Sequence, residues 1–294
     1  MQSVLGDRRA ILALLGPALL IYSLVILIPI FWSLGYTLFS GSIVTGFSFT
    51  GLSNFVTFFQ DPAALSAILF TVKYAVVLTI GQVLIGYLFA LMYHFYLKRA
   101  SAIIRTLVFF PVVLPTVAVA LLFQQLFQSA PTTGPINGFL EGLGLSSIDW
   151  FGHADSAFWV IVAMDIWRSM GFYAVLLYAG IVDIPDDIVE SARIDGAAGW
   201  KLVRHIILPL SLPVLLSSVI FSINGTLKVF DSVLALTNGG PGNGTSPLTL
   251  YMYQTSFTYG DYGYGSTIAF MLTILCLLVT VFIFRAQRRD LTKG

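Results

Sequence analysis

Long apolar runs dominate the hydrophobic pattern of this 294-residue chain. A helix needs about 20 apolar residues to cross the hydrocarbon core of a bilayer. Runs of about that length or longer lie at about residues 11 to 38, 66 to 97, 102 to 127, 156 to 181, 206 to 236 and 264 to 285. The pattern therefore predicts an all-α, polytopic membrane protein with six transmembrane helices.

The composition supports a membrane protein and excludes an ordinary cytosolic enzyme. Hydrophobic residues make up 57% of the chain and charged residues only 10%, where soluble proteins carry about 25% charged residues. The formal net charge of +1 gives no indication of a nucleic-acid partner. Cys276 is the single cysteine, and the three histidines fall on different predicted sides of the membrane, so we predict no metal site.

The distribution of basic residues predicts the orientation. The loops at about 39 to 65, 128 to 155 and 237 to 263, expected to be short turns at the membrane surface, hold no Lys or Arg. The termini and the other connections hold Arg8, Arg9, Lys98, Arg99, Arg105, Arg193, Lys201, Arg204, Arg285, Arg288, Arg289 and Lys293. Because basic loops stay in the cytoplasm, both termini are expected there.

A charged segment between the fourth and fifth helices carries the main motif. Pro185 can start a short helix, Asp186 and Asp187 suit its positive N-terminal end, and Gly196 can end it. A second segment runs from about Ala198 to Arg204. We therefore expect two short helices lying across the cytoplasmic membrane face.

This segment resembles the EAA loop of ABC importer permeases, in which Glu-Ala-Ala, three residues, Gly, nine residues and Ile-x-Leu-Pro recur. Ser191 departs from the middle alanine, but it is also small. In that family the loop docks into a groove on the ATPase subunit. The resemblance implies coupling to the ATPase by Glu190, Ser191, Ala192, Asp195, Gly196, Leu208 and Pro209.

Weaker similarities narrow the resemblance to maltose-type sugar permeases. They lie at Gly51 to Phe55, Gly134 to Asn137 and Leu236 to Pro241. The type I importer domain would then occupy residues 66–287 with the loop at 183–209, after an N-terminal helix and outer loop at 1–65 and before a cytoplasmic tail at 288–294.

The resemblance also implies an assembly in a bacterial or archaeal inner membrane. Its other members would be a second homologous permease subunit, two ATP-binding subunits, an extracytoplasmic solute-binding protein and membrane lipid, without nucleic acid. The chain has no Gly-x4-Gly-Lys-Ser/Thr sequence. We therefore expect no ATP site, no catalytic residue and no cofactor in this chain, with ATP and Mg bound by the partner subunits.

Polar and aromatic residues inside the apolar runs are candidates for the substrate pathway, because polar groups in hydrocarbon are costly. Asp165 with Arg168, and Lys228 with Asp231, are each three residues apart on one predicted helix and could pair or contact substrate. Asn224 and Gly225 could unwind the fifth helix locally. The candidates are Asp165, Trp167, Arg168, Phe172, Tyr173, Asn224, Lys228, Phe230 and Asp231.

The resemblance implies translocation of a sugar or oligosaccharide that an extracytoplasmic solute-binding protein delivers, and the pathway residues leave other functions open. Within the same class, a glycerol-3-phosphate or glycerophosphodiester permease could use Arg168 or Lys228 to meet a phosphate. An ion-coupled secondary carrier could use Asp165 or Asp231 as a proton or sodium site, although it would leave the 183–209 loop unexplained. An intramembrane enzyme is disfavoured because no catalytic constellation is found.

Overall fold

The computed structural model describes residues 8–97 and 101–291. Residues 292–294 of the predicted tail at 288–294 lie outside this description, and the side chains of 288–291 are not described. Seven of the basic residues from which the orientation was predicted are either not described or described without their side chains. They are Arg8, Arg9, Lys98, Arg99, Arg288, Arg289 and Lys293.

The described chain is mostly helical, which confirms the predicted fold class. In chain order the helices are α1 (Arg8–Tyr22, the π-helical turn Ser23–Leu27, and Ile28–Tyr36), α2 (Ser53–Gln60), α3 (Pro62–Phe95), α4 (Ser101–Val113), α5 (Thr116–Leu126), α6 (Pro135–Gly142), α7 (Ala154–Val182), α8 (Asp186–Ile194), α9 (Trp200–Leu202, Val203–Ile207 and Leu208–Thr226), α10 (Asp231–Leu236), α11 (Leu248–Tyr253 with Gln254–Thr258) and α12 (Tyr262–Leu291).

Five of these helices are long and apolar enough to cross a bilayer, and the pair α4 and α5 forms a sixth span if counted together. The sixth span is bent by 96° between its two helices, so the prediction of one continuous helix over 102 to 127 was wrong. Pro115 lies at the bend. Proline removes an N–H donor and disfavours helical geometry in the preceding residue, Leu114.

The predicted helix over 206 to 236 is also interrupted. α9 ends at Thr226, and α10 begins at Asp231 after a turn in which the Lys228 and Val229 amides donate to the carbonyls of Gly225 and Thr226. Glycine is a poor helix former, and α9 ends one residue after Gly225. Lys228 and Asp231 therefore do not share a helix, and no ion pair joins them.

The described chain divides into two compact units, residues 1–65 with 251–273 and residues 66–250 with 274–294. The first contains α1, whose stretch Ile11–Tyr36 buries none of its residues. It also contains an antiparallel hairpin of β1 (Phe39–Ser42) and β2 (Gly46–Phe49), where the sequence indicated only turns. Asn54 fixes the start of β1 by donating to the carbonyls of Thr37 and Phe39, at 2.9 and 2.8 Å.

The second unit contains the candidate site. Its core is formed mainly by aromatic and branched side chains of α3, α5, α7 and α10. Glycines allow close helix packing there: a Cβ at Gly171 would lie 2.6 Å from the Phe109 Cα, and one at Gly86 would lie 2.7 Å from the Tyr173 Cβ. Small residues have this role at helix contacts in membranes.

Candidate functional site

A polar cavity of about 270 Å³, hereafter the central cavity, lies within the second unit. Its walls come from α3, α5, α7, α9, the 227–230 turn and α10. Hydroxyl, amide and charged side chains face one space within otherwise apolar helices. Such groups can hold a polar solute where hydrocarbon would exclude it.

Asp165 anchors one side of the central cavity. Its side chain is 4% exposed, its Oδ2 accepts a 2.5 Å hydrogen bond from the Tyr74 hydroxyl, and its Oδ1 lies 3.5 Å from the Arg168 Nε. The Asp165 Oδ1 and the Arg168 Nε have no hydrogen-bond partner among the described residues. The two groups therefore lie within ion-pair distance and offset each other's charge at the wall of the central cavity.

A second network joins three helices across the central cavity. The Gln82 amide on α3 donates to the Ser222 hydroxyl on α9, which donates to Thr79 at 2.7 Å. On α7, the Ser169 hydroxyl lies 2.7 Å from the Gln82 Oε1 and 2.6 Å from the Asp165 carbonyl oxygen, so its proton can go to either. These bonds satisfy buried polar groups and fix the spacing of the three helices.

The 183–209 loop begins with a short amphipathic helix, α8. It follows Pro185, carries Asp186 and Asp187 in its first turn, and buries Val189 and Ala192, while Glu190 is exposed. The Glu190 side chain makes no hydrogen bond or ion pair with another described residue. The apolar face of α8 therefore packs against the rest of the chain, and its charged face is exposed.

Two glycines set the path of the loop after α8. Gly196 has φ +85° and Gly199 has φ +54°, conformations that residues with a Cβ rarely adopt. Trp200 then starts α9, which runs without interruption to Thr226. The prediction of a second separate short helix at 198 to 204 was wrong, because those residues form the first turns of a membrane-spanning helix.

Comparison with known proteins decides the family. Residues 82–292 match the family described as binding-protein-dependent transport system inner membrane component. The chain belongs to this family. It is a permease subunit of an ABC importer, which confirms the family predicted from the 183–209 loop.

Curated relatives cover most of this permease. A probable ABC transporter permease of Bacillus subtilis is 34% identical over 91% of the chain and 92% of the relative. A trehalose/maltose transport system permease of Thermococcus litoralis is 33% identical over 82% of the chain and 80% of the relative.

A solved structure has the same fold. It is that of a bacterial alginate ABC transporter in complex with an alginate pentasaccharide-bound periplasmic protein, with a TM-score of 0.85, 22% identity, and coverage of 95% of this chain and 93% of that one. At this identity the likeness supports the fold alone, and it agrees with the predicted type I importer domain.

The permease brings six of the predicted pathway residues to the central cavity: Asp165, Arg168, Tyr173, Lys228, Phe230 and Asp231. Three others lie elsewhere. Trp167 packs on Phe123, with ring centroids 5.8 Å apart, and Phe172 is half-exposed beside Tyr173. Asn224 donates to the Ile220 carbonyl within its own helix.

Other residues that line the central cavity were not among the candidates: Tyr74, Gln82, Ser169 and Ser222. Gln82 carried a signal, because it is the one side-chain amide in the apolar run from 66 to 97. Tyr74 had none, since aromatic residues are common in membrane helices.

The described residues show no grouping of three or more His, Cys, Asp or Glu side chains able to hold a metal ion.

Proposed function

We propose that this permease translocates a carbohydrate that an extracytoplasmic solute-binding protein delivers, and that the sugar passes through the central cavity. The observation that carries the proposal is the central cavity itself, where hydroxyl and amide groups of Tyr74, Gln82, Ser169 and Ser222 converge. Sugars require several hydrogen-bond partners together with apolar surface. Tyr173 and Phe230 supply that surface.

The charges of the central cavity favour a neutral sugar over a phosphate ester. Arg168 is paired with Asp165, and Lys228 shares the lining with Asp231. The two positive and two negative side chains balance, so a dianionic phosphate would gain little net attraction. The relative named for trehalose and maltose, which are neutral sugars, agrees with this choice.

The assembly that we propose contains a second permease subunit and two ATP-binding subunits. The latter would bind ATP and Mg and hydrolyse the ATP, and both termini of this chain would be cytoplasmic. The open face of α8 supports docking of an ATP-binding subunit at Glu190, Ser191, Asp195 and Gly196. Ala192, expected to belong to this surface, is buried and packs α8 onto the permease instead. Leu208 and Pro209 would carry the movement along α9.

Uptake in a strain that lacks the chromosomal gene tests the proposal. Cells that express the permease with its partners should accumulate at least one of labelled maltose, trehalose and lactose, and Gln82→Leu should raise the KM of that uptake. Gln60→Leu, which changes an exposed glutamine at the end of α2, is the matched control and should leave the KM unchanged.

The same assay separates the alternatives. Uptake of glycerol 3-phosphate and of none of the three sugars would favour the phosphate branch. Accumulation that survives ATP depletion but collapses with the proton gradient would contradict the proposed ATP-driven assembly.

A further inference from the structure

A second polar pocket, hereafter the outer pocket, lies in the second unit at the C-terminal end of α5. It has a volume of about 400 Å³. Three glutamines of α5 and the residues just after it, Gln124, Gln125 and Gln128, face Phe151 and the Gly240–Pro241 turn across it. Both loop segments belong to the predicted outer side of the membrane, because those loops carry no Lys or Arg.

The three glutamines have different roles. The Gln124 amide donates to the carbonyls of Ala235 and Leu236, at 3.2 and 2.8 Å, and so ties α5 to α10. The side chains of Gln125 and Gln128 make no hydrogen bond with another described residue. Each offers two donors and an acceptor to a solute, and Phe151 adds an apolar ring. Amide groups beside an aromatic ring can bind sugar hydroxyls and the apolar face of a sugar ring.

The charge around the outer pocket restricts the ligand. No charged side chain lines it among the described residues. At its edge, the Ser129 hydroxyl donates to the Asp149 Oδ1 at 3.2 Å, which places a carboxylate beside the pocket. A phosphate, uronate or sulfonate would be repelled by this carboxylate without meeting a cation. A neutral sugar would meet no such cost.

The outer pocket and the central cavity lie at opposite ends of one helix pair. Thr116 of α5 and Asp231 of α10 line the central cavity, whereas Gln124 and Leu236 of the same helices line the outer pocket. Eight residues of helix separate Thr116 from Gln124, a rise of about 12 Å. The length of a disaccharide is comparable, so a sugar could move from one site to the other along this pair.

We propose that the outer pocket is a second carbohydrate-binding site, which takes a neutral sugar through Gln125, Gln128 and Phe151 before the sugar reaches the central cavity. This inference rests on the proposed function, because it takes the same class of substrate. Gln124 has a positioning role, since it fixes the helix pair that joins the two sites.

Protection of single cysteines from a neutral maleimide tests the site in the purified membrane complex without binding protein. Cys276 is the single native cysteine of this chain, so Cys276→Ser gives the background. Gln125→Cys reports on the outer pocket and Gly225→Cys on the central cavity, where a Cβ meets no atom within 4 Å. Thr133→Cys, exposed in the same outer segment but outside the pocket, is the matched control.

Maltose, trehalose, lactose and glycerol 3-phosphate are the probes. A sugar at about ten times its dissociation constant should slow labelling of Gln125→Cys by about tenfold. Labelling of Thr133→Cys should not change, and glycerol 3-phosphate should protect Gln125→Cys less than that sugar does.

The outcomes separate this inference from the proposed function. Protection of Gly225→Cys by a sugar without protection of Gln125→Cys would overturn the outer site and leave the proposed function intact. Stronger protection of Gln125→Cys by glycerol 3-phosphate than by any sugar would overturn the assignment to a neutral ligand. Protection at neither position would overturn both.

Discussion

The 183–209 loop exposes its charged side chains, whereas the central cavity pairs its polar groups across three helices. Glu190 on α8 has no partner among the described residues, while Gln82 on α3 bonds to Ser222 on α9 and to Ser169 on α7. The loop rests on two buried side chains of its own helix, Val189 and Ala192. A change in the loop should therefore affect what binds it, and a change in the cavity should affect the stability of the chain.

The largest expected effect lies at Gly196, where φ is +85°. A side chain there costs about 1–2 kcal/mol, a factor of about 5–30 in a conformational equilibrium. Gly196→Asp and Gly196→Ala should lower ATP-driven uptake by about that factor, with little change in thermal denaturation. Gly196→Asn should be milder, because Asn tolerates positive φ better.

The control for Gly196 is Gly138→Ala in α6, a helical glycine with open space around it. It should leave both uptake and thermal denaturation unchanged. Normal uptake and ATPase stimulation in Gly196→Asp would show that the loop does not transmit the ATPase cycle.

Substitutions of residues that pair in the central cavity should lower the free energy of unfolding. Tyr74→Phe leaves the buried Asp165 Oδ2 without its donor, and we expect a loss of about 1–3 kcal/mol in the free energy of unfolding. Tyr87→Phe is the comparison: its partner, the Ser211 hydroxyl, also has the Leu208 carbonyl within 3.3 Å, so the loss should be about 0.5–1.5 kcal/mol.

Thermal denaturation of both tyrosine variants in detergent measures this difference. Equal losses would mean that another group donates a hydrogen bond to the Asp165 Oδ2 in Tyr74→Phe. The Tyr74 hydroxyl would then not be required to satisfy this carboxyl oxygen.

A smaller effect is expected from Glu190→Ala. Because Glu190 is exposed, the free energy of unfolding should change by less than about 0.5 kcal/mol, while uptake should fall more moderately than in Gly196→Asp. Glu141→Ala, an exposed glutamate of α6, should change neither quantity. A clear stability loss in Glu190→Ala would mean that this carboxylate braces the loop instead of meeting a partner.

The same contrast explains which features could be predicted from sequence. The 183–209 loop depends on neighbours in the chain: Pro185 starts α8 and Gly196 ends it. The central cavity depends on contacts between distant residues, such as Gln82 with Ser222, which are 140 positions apart. One sequence shows that Gln82 is unusual in an apolar run but does not show its partner.

The errors in the helix boundaries have a similar cause. Pro115 and Gly225 are visible as helix-weakening residues. The contacts that α5 and α10 make with each other and with α7 join distant parts of the chain and cannot be read from one sequence, so the 96° bend and the new start at Asp231 were not predicted. Trp167, Phe172 and Asn224 have suitable chemistry for a sugar site, yet their helix faces point them to the core, to the surface or back to their own helix.

Asp61, Tyr251 and Tyr264 form a further group of paired polar side chains in the first unit, hereafter the Asp61 cluster. Its acceptor, the Asp61 carboxyl, lies outside the membrane spans, so a change of pH tests how well this pairing persists. The Asp61 Oδ2 accepts hydrogen bonds from Tyr251 and Tyr264 at 2.5 and 2.6 Å. Burial raises the pKa of Asp61, but these two bonds and backbone amide donors outweigh it and hold the pKa below its ordinary value. Burial and the bond to Asp61 raise the pKa of Tyr251.

A lowered carboxyl pKa stabilises the cluster above the ordinary aspartate pKa of about 3.9, and this contribution is lost as pH falls through the lower folded-state value. Hydrogen exchange of residues 251–261 should therefore keep its protection between about pH 7 and 5 and lose it only below about pH 4. Tyr251→Phe removes one donor and should move this loss to higher pH, whereas Tyr259→Phe, at an exposed position, should not. Loss of protection in the unmodified chain near neutral pH would show that the two tyrosines do not hold Asp61 in its charged form.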